Sequence, residues 1–207
     1  MTLRDYHVMS NKESCHITKT WFKSQCLILI IRGRITMRQA HNSIRKITML
    51  GLLAAICTVL RIIKVPLPNV QPVTDIIMIV TLINGSGAGL VLAILTMLVS
   101  NLYLGFGIWT VPQIAAYIVC VLTVLLFKKL FFLQKFWWLQ LGVATLLGLE
   151  YGLIVSLCMV VIGQTPAFIA YYTSGFLFDI YHAAGNLVFY PLIYWPLSKV
   201  LQNYAQE

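Results

Sequence analysis

The sequence predicts an all-α integral membrane protein, a six-transmembrane-helix bundle with both termini cytoplasmic. Three observations predict it. Of 207 residues, 59% are hydrophobic and only 10% charged, with a mean hydropathy of +0.85, too apolar for a soluble surface of mixed charge. The apolar runs are continuous, as a helix of ~20 residues crossing a bilayer requires, and not the alternating ~10-residue segments of a membrane barrel. Finally, nine of the fifteen Lys and Arg lie before residue 47, so the net charge of +9 is first a statement about topology. Outside that tail no basic segment is interleaved with aromatics that would stack bases, which argues against a nucleic-acid partner. Cys15, Cys26, Cys57, Cys120 and Cys158 form no CxxC pair, so free thiols are expected, with no disulfide framework and no metal site.

Residues 1–36 read as a basic N-terminal extension ahead of a membrane domain over 37–207. Its one apolar run, Cys26 to Ile31, is too short to span and has no cleavage site for a signal peptide. Met37 is the expected natural start, with the preceding tail an upstream translation or a dispensable, disordered extension. The first span is expected from about Ile44 to Ile63. It is followed by the hinge Pro66–Asp75, PLPNVQPVTD, and a second span of only thirteen residues, Pro72 to Asn84. At ~1.5 Å per residue that covers roughly 20 Å of a ~30 Å core. The hinge must therefore dip below the membrane surface, where irregular backbone survives only against protein or a water-filled cavity. Asn84–Gly87 is a turn with Ser86 as N-cap of the third span, Gly87 to Leu104. Gly105–Pro112 breaks the chain again, and Thr110 and Gln113 have the spacing of a capping box opening the fourth span, which runs to Phe127. The fifth span lies within Phe136 to Ile162. A break near Thr173-Ser-Gly175 is expected to split the remainder into a short interfacial piece and a sixth span, Gly175 to Leu197.

Thirteen Lys and Arg then fall on one side, while the other carries only Arg61 and Lys64. The positive side is the cytoplasmic one. The hinge, the GFGIWTVP break and the Gly163–Pro166 turn share the outer face, where they form the mouth of a cavity.

Ionisable groups inside spans are costly and mark function by default. Asp179, His182, Asn186 and Tyr190 are spaced by three, four and four, which sets them on one face of the last helix. They either contact a ligand or hydrogen-bond between helices. Glu150 is mid-span and needs a partner, either His182 or a backbone group. Asp75 lies in the first turn of a helix, where the dipole favours an anion. Asn69 and Gln71 are amides in a proline-stiffened loop, suited to donating and accepting. Trp109 either stacks on a planar ligand or anchors the interface, and Arg61 either attracts an anion or snorkels. Gly51 and Ala55 form a small-xxx-small pair, for packing or for docking another subunit. Walker, HExxH, paired-acid and Gly-x-Ser-x-Gly signals are missing, so no catalytic residue is assigned.

With its six spans, the Gly51/Ala55 pair, and the strings NVQPVTD, SNLYLGFGIWTVPQ and the polar sixth helix, the chain from Met37 onward resembles the substrate-binding S component of an energy-coupling factor (ECF) type vitamin transporter. It is most similar to the subset associated with cobalamin and related corrinoids. That family usually carries alanine at both positions of the small pair, where this chain has Gly51 at one. The resemblance implies a non-catalytic subunit of the cell membrane without a cofactor of its own. It would capture a vitamin outside and dock by its first span on a transmembrane coupling subunit, with ATP spent by two cytoplasmic ATPases. For a corrinoid it implies Asn69, Gln71, Asn101 and Gln113 against peripheral amides, Trp109 and Phe106 against flat faces, and Arg61 against the phosphate. Pantothenate, folate or a thiamine precursor are alternatives. Readings from other classes are a membrane-embedded enzyme acting on lipid through Asp179, His182 and Glu150, and a stand-alone secondary transporter.

Overall fold

The computed structural model describes residues 43–63, 69–131, 133–165 and 167–206. The expected extension over 1–36, Met37 and residues 66–68 of the hinge lie outside the described residues. Two units separate by their internal contacts, Met1–Ile47 and Thr48–Glu207. Of the first, only the opening residues of a helix are described; the second holds the bundle.

Among the described residues all regular structure is helical. The elements are α1 Ser43–Ile62, α2 Val73–Asn84, α3 Ser86–Leu104, α4 Thr110–Leu130, α5 Trp137–Val161 and α6 Phe168–Gln206. Five of these are long and apolar enough to cross a membrane, and α2 is a shorter apolar helix. The sixfold helical membrane architecture expected from sequence is therefore the one observed.

The short helix is the centre. Every residue from Val73 to Leu82 is buried, the pattern of a helix apolar on all sides, and α2 packs against α3, α4, α5 and α6. Its C-terminal end leaves carbonyls unpaired. The Leu82 carbonyl accepts from Lys128 Nζ at 2.9 Å and from Gln134 Nε2 at 2.7 Å, which also sets a cation against the negative end of the helix. Gly85, at φ 92, then turns the chain into α3. In α1, Met49, Leu53, Ala54 and Cys57 enter the core, a helical stripe of one face.

Between α5 and α6 the pairing is antiparallel and regular. Tyr190 donates to Gln140 Oε1 at 2.6 Å, Asn186 Nδ2 donates to the Ala144 carbonyl at 2.8 Å, Gly148 lies against the Ala183 backbone, and Gly152 lies under the Asp179 carboxylate. Four positions spaced by four residues on α5 thus meet one stripe of α6. The small residues Ala144, Gly148 and Gly152 allow the close approach.

Three local expectations are corrected. Ser86 and Thr110 are the first residues of their helices and not the N-caps, which are Gly85 and Trp109, and neither start has a side-chain cap bond. The Thr110 hydroxyl instead accepts from Asn101 Nδ2 and from the Gly107 amide, so the capping box is replaced by a bond to the previous helix. Nor does the last helix break at Thr173-Ser-Gly175. It runs unbroken for 39 residues, about 58 Å, because Thr173 Oγ1 bonds the Ile169 carbonyl at 2.8 Å and Ser174 Oγ bonds that of Tyr171 at 2.7 Å. Hydroxyls that satisfy their own helix in this way do not end it.

Candidate functional site

Helices joined by short connections alternate in direction, so residues 69–72, 105–109 and 162–165 gather at one end of the bundle. The described part of the hinge, from Asn69 on, also touches α6. Asn69, in the left-handed region at φ 63 that asparagine tolerates, donates from Nδ2 to the Phe178 carbonyl at 3.3 Å. The next residue, Val70, lies against Gly185, where an added Cβ would come within 3.2 Å of Val70 Cγ1. Phe178 is ten residues into α6, about 15 Å from its start. The described end of the hinge therefore lies alongside α6, next to the start of α2.

Beneath the hinge, polar groups from α1, α2, α4, α5 and α6 meet. Thr74 Oγ1 and His182 Nε2 are 2.7 Å apart, which leaves His182 Nδ1 without a partner. The His182 ring sits edge-on to Tyr151, centroids 5.2 Å apart, and Tyr151 packs on Tyr117 at 4.8 Å. The Thr74 hydroxyl faces that of Tyr117. From α1, Arg61 Nη1 reaches Met97 Sδ at 3.2 Å, and the guanidinium faces the Tyr151 hydroxyl. Asp75 is fully buried with neither carboxylate oxygen bonded; the N-terminal end of α2 offers it only the helix dipole.

Of the stripe on α6, Asp179, His182, Asn186 and Tyr190 are all buried. Tyr190 and the Asn186 amide nitrogen are taken up by α5, while Asn186 Oδ1 has no partner. The Asp179 carboxylate rests on Gly152 with no donor among the described residues. Glu150 does not pair with His182. Its Oε1 accepts from Thr123 on α4 at 2.6 Å, so Asp179, His182 and Glu150 do not converge on one point.

The loop amides divide. Asn101 Nδ2 bonds Thr110 at 3.2 Å and Gln113 Oε1 at 3.5 Å, tying α3 to α4 below the 105–109 connection. Gln71 is half-buried and has no hydrogen bond among the described residues. Trp109 folds back on its own loop, where a Cβ at Gly107 would collide with the indole. Both Trp109 and Phe106 keep about half their surface exposed, at 46% and 56%. At the other end, Gly51 and Ala55 are exposed, and a Cβ added at Gly51 meets nothing within 4 Å. The small pair therefore faces away from this bundle and does not pack it.

Sequence reasoning passed over Tyr117, Tyr151 and Thr74. A signal existed for the tyrosines: each lies mid-span, where a phenol hydroxyl needs a partner inside the bundle, instead of at an interfacial belt.

Five long apolar helices around a central short one, with a polar centre among them, define the class of multi-pass helical membrane proteins. The family of ECF transporter substrate-specific components matches residues 45–194, well over half of the chain, and the chain belongs to that family. It is thus a substrate-binding subunit of a transporter, of a kind that works with a coupling subunit and ATPases. No curated protein matches it, and no solved structure does.

Proposed function

We propose that this chain captures a vitamin on the outer side of the cell membrane, cobalamin or a related corrinoid, and delivers it inward by docking on a coupling subunit powered by two ATPases. The observation that carries the reading is the described part of the hinge lying on α6 over a centre of polar groups, with His182 Nδ1 and Arg61 Nε lacking a bond among the described residues. Buried polar atoms left unsatisfied are costly, and a ligand entering beneath the hinge would supply their partners. Gly51 and Ala55, turned away from the bundle, are a suitable docking face. The positive-inside rule puts both termini in the cytoplasm and the hinge outside.

The corrinoid assignment rests on the strings NVQPVTD and GFGIWTVPQ, and on exposed Phe106 and Trp109, which offer flat apolar contact. A second reading, a smaller vitamin such as pantothenate, folate or a thiamine precursor, is favoured by Asn101, whose Nδ2 is already engaged by Thr110 and Gln113. Uptake of labelled cobalamin into proteoliposomes separates these readings. The reading predicts accumulation when this chain is reconstituted with a coupling subunit and both ATPases plus ATP, and none without ATP. Accumulation of pantothenate, folate or a thiamine precursor in place of cobalamin would select the second reading. Uptake of no vitamin would refute both.

A further inference from the structure

Arg61 has no counter-ion among the described residues. A guanidinium stays protonated and carries five donors, and a buried charge is tolerated when it is paired. Here the three carboxylates among the described residues are Asp75, Glu150 and Asp179, and none forms an ion pair with Arg61. One nitrogen donates to the sulfur of Met97, a weak acceptor, and Nε is shut away without a partner among the described residues. The side chain is half-buried. Its head points at Met97, Tyr151 and His182, exposed by only 0%, 7% and 3%, so the charge faces the interior.

The neighbours complete a receiving set. Tyr151 brings a hydroxyl to the guanidinium, and His182, oriented through Nε2 by Thr74, leaves Nδ1 open. We infer that this cluster receives an anionic group of the transported vitamin, a carboxylate or a phosphodiester, with Arg61 as the forked donor and Tyr151 and His182 beside it. The inference rests on the reading of the chain as a vitamin-binding subunit, and it narrows the substrate to one bearing an anion at the end that enters first. Planar recognition of carboxylate and phosphate is what the guanidinium fork does better than any other side chain.

The test uses the full chain in phosphatidylcholine nanodiscs, which keeps anionic lipid headgroups away from Arg61. Binding is measured for matched probes that differ in the anion: pantothenate against pantothenol, and cobinamide phosphate against cobinamide. Hydroxymethylpyrimidine serves as a neutral vitamin precursor. The expected result is that one anionic probe binds at least ~10-fold tighter than its neutral partner, the size of a charged hydrogen bond. R61Q should abolish that preference, while R61K, which keeps the charge, retains part of it. The wild-type comparison stands even if R61Q fails to fold. A neutral probe binding as tightly as its anionic partner, tight binding of hydroxymethylpyrimidine, or a folded R61Q with the preference intact overturns the inference and leaves the vitamin-binding reading standing. If none of the five probes nor cobalamin binds, that reading falls and the inference falls with it.

Discussion

Gly148→Ala tests the α5–α6 contact that holds Asp179 and His182 in place. A Cβ at Gly148 would lie 2.6 Å from both the Cα and the nitrogen of Ala183, and 2.9 Å from the carbonyl carbon of His182. Ordinary contact begins near 3.4 Å, and the obstacles are backbone atoms, which cannot swing aside as a side chain would. α6 has to retreat. Overpacking of this kind costs ~1–3 kcal/mol, with the upper end expected against backbone, while replacing glycine inside a helix returns about 1 kcal/mol. A net loss of ~2 kcal/mol is expected, roughly 4–8 °C in melting temperature for a chain of this size. Gly142→Ala is the internal control. It lies on the same helix with nothing within 4 Å of the added carbon, so only the helix-propensity gain applies, and it should melt at or slightly above wild type. Both are read by thermal denaturation in one detergent. If Gly148→Ala melts no lower than Gly142→Ala, the close approach of α5 and α6 described above is wrong.

Other outcomes follow from single contacts. Tyr190→Phe removes the bond to buried Gln140 and should cost about 1 kcal/mol, seen as a small drop in melting temperature with vitamin affinity held within about twofold. Thr74→Val leaves His182 Nε2 without its partner; a loss of ~1–3 kcal/mol in stability is expected, together with weaker ligand binding, and unchanged binding would remove His182 from the site. Asn101→Ala unties Thr110 and Gln113, so hydrogen exchange should quicken at residues 105–110 before it changes in α5. Thr123→Val deletes the hydroxyl bonded to Glu150 and should destabilise the chain, whereas removing the Glu150 carboxylate together with that hydroxyl should recover part of the loss in a double-mutant cycle.

Continuous apolar runs made the spans readable, and the shortness of α2 pointed to a hinge in contact with the bundle, where Asn69 and Val70 touch α6. The spacing of Asp179, His182, Asn186 and Tyr190 was likewise enough to place them on one face. Periodicity identifies a face but not what stands opposite it, so the partners escaped: Thr74 for His182, Thr123 for Glu150, and Gln140 for Tyr190. The unbroken α6 was missed because Thr173 and Ser174 look like turn residues until their hydroxyls are seen bonded to the preceding turn. The ends of α3 and α4 went wrong for a related reason, since Thr110 has a cap's identity but spends its hydroxyl on Asn101 and Gly107. The seat for Asp179 was legible in principle, because Gly148 and Gly152 are spaced as residues that admit a close helix.

The central claim, that this bundle captures a vitamin beneath its hinge, is tested most directly by titration calorimetry of the purified chain with cobalamin. Nanomolar-scale binding, roughly −12 kcal/mol, is expected, weakened in Asn69→Ala and in Trp109→Ala. Flat thermograms for cobalamin and equally for pantothenate, folate and a thiamine precursor would contradict it.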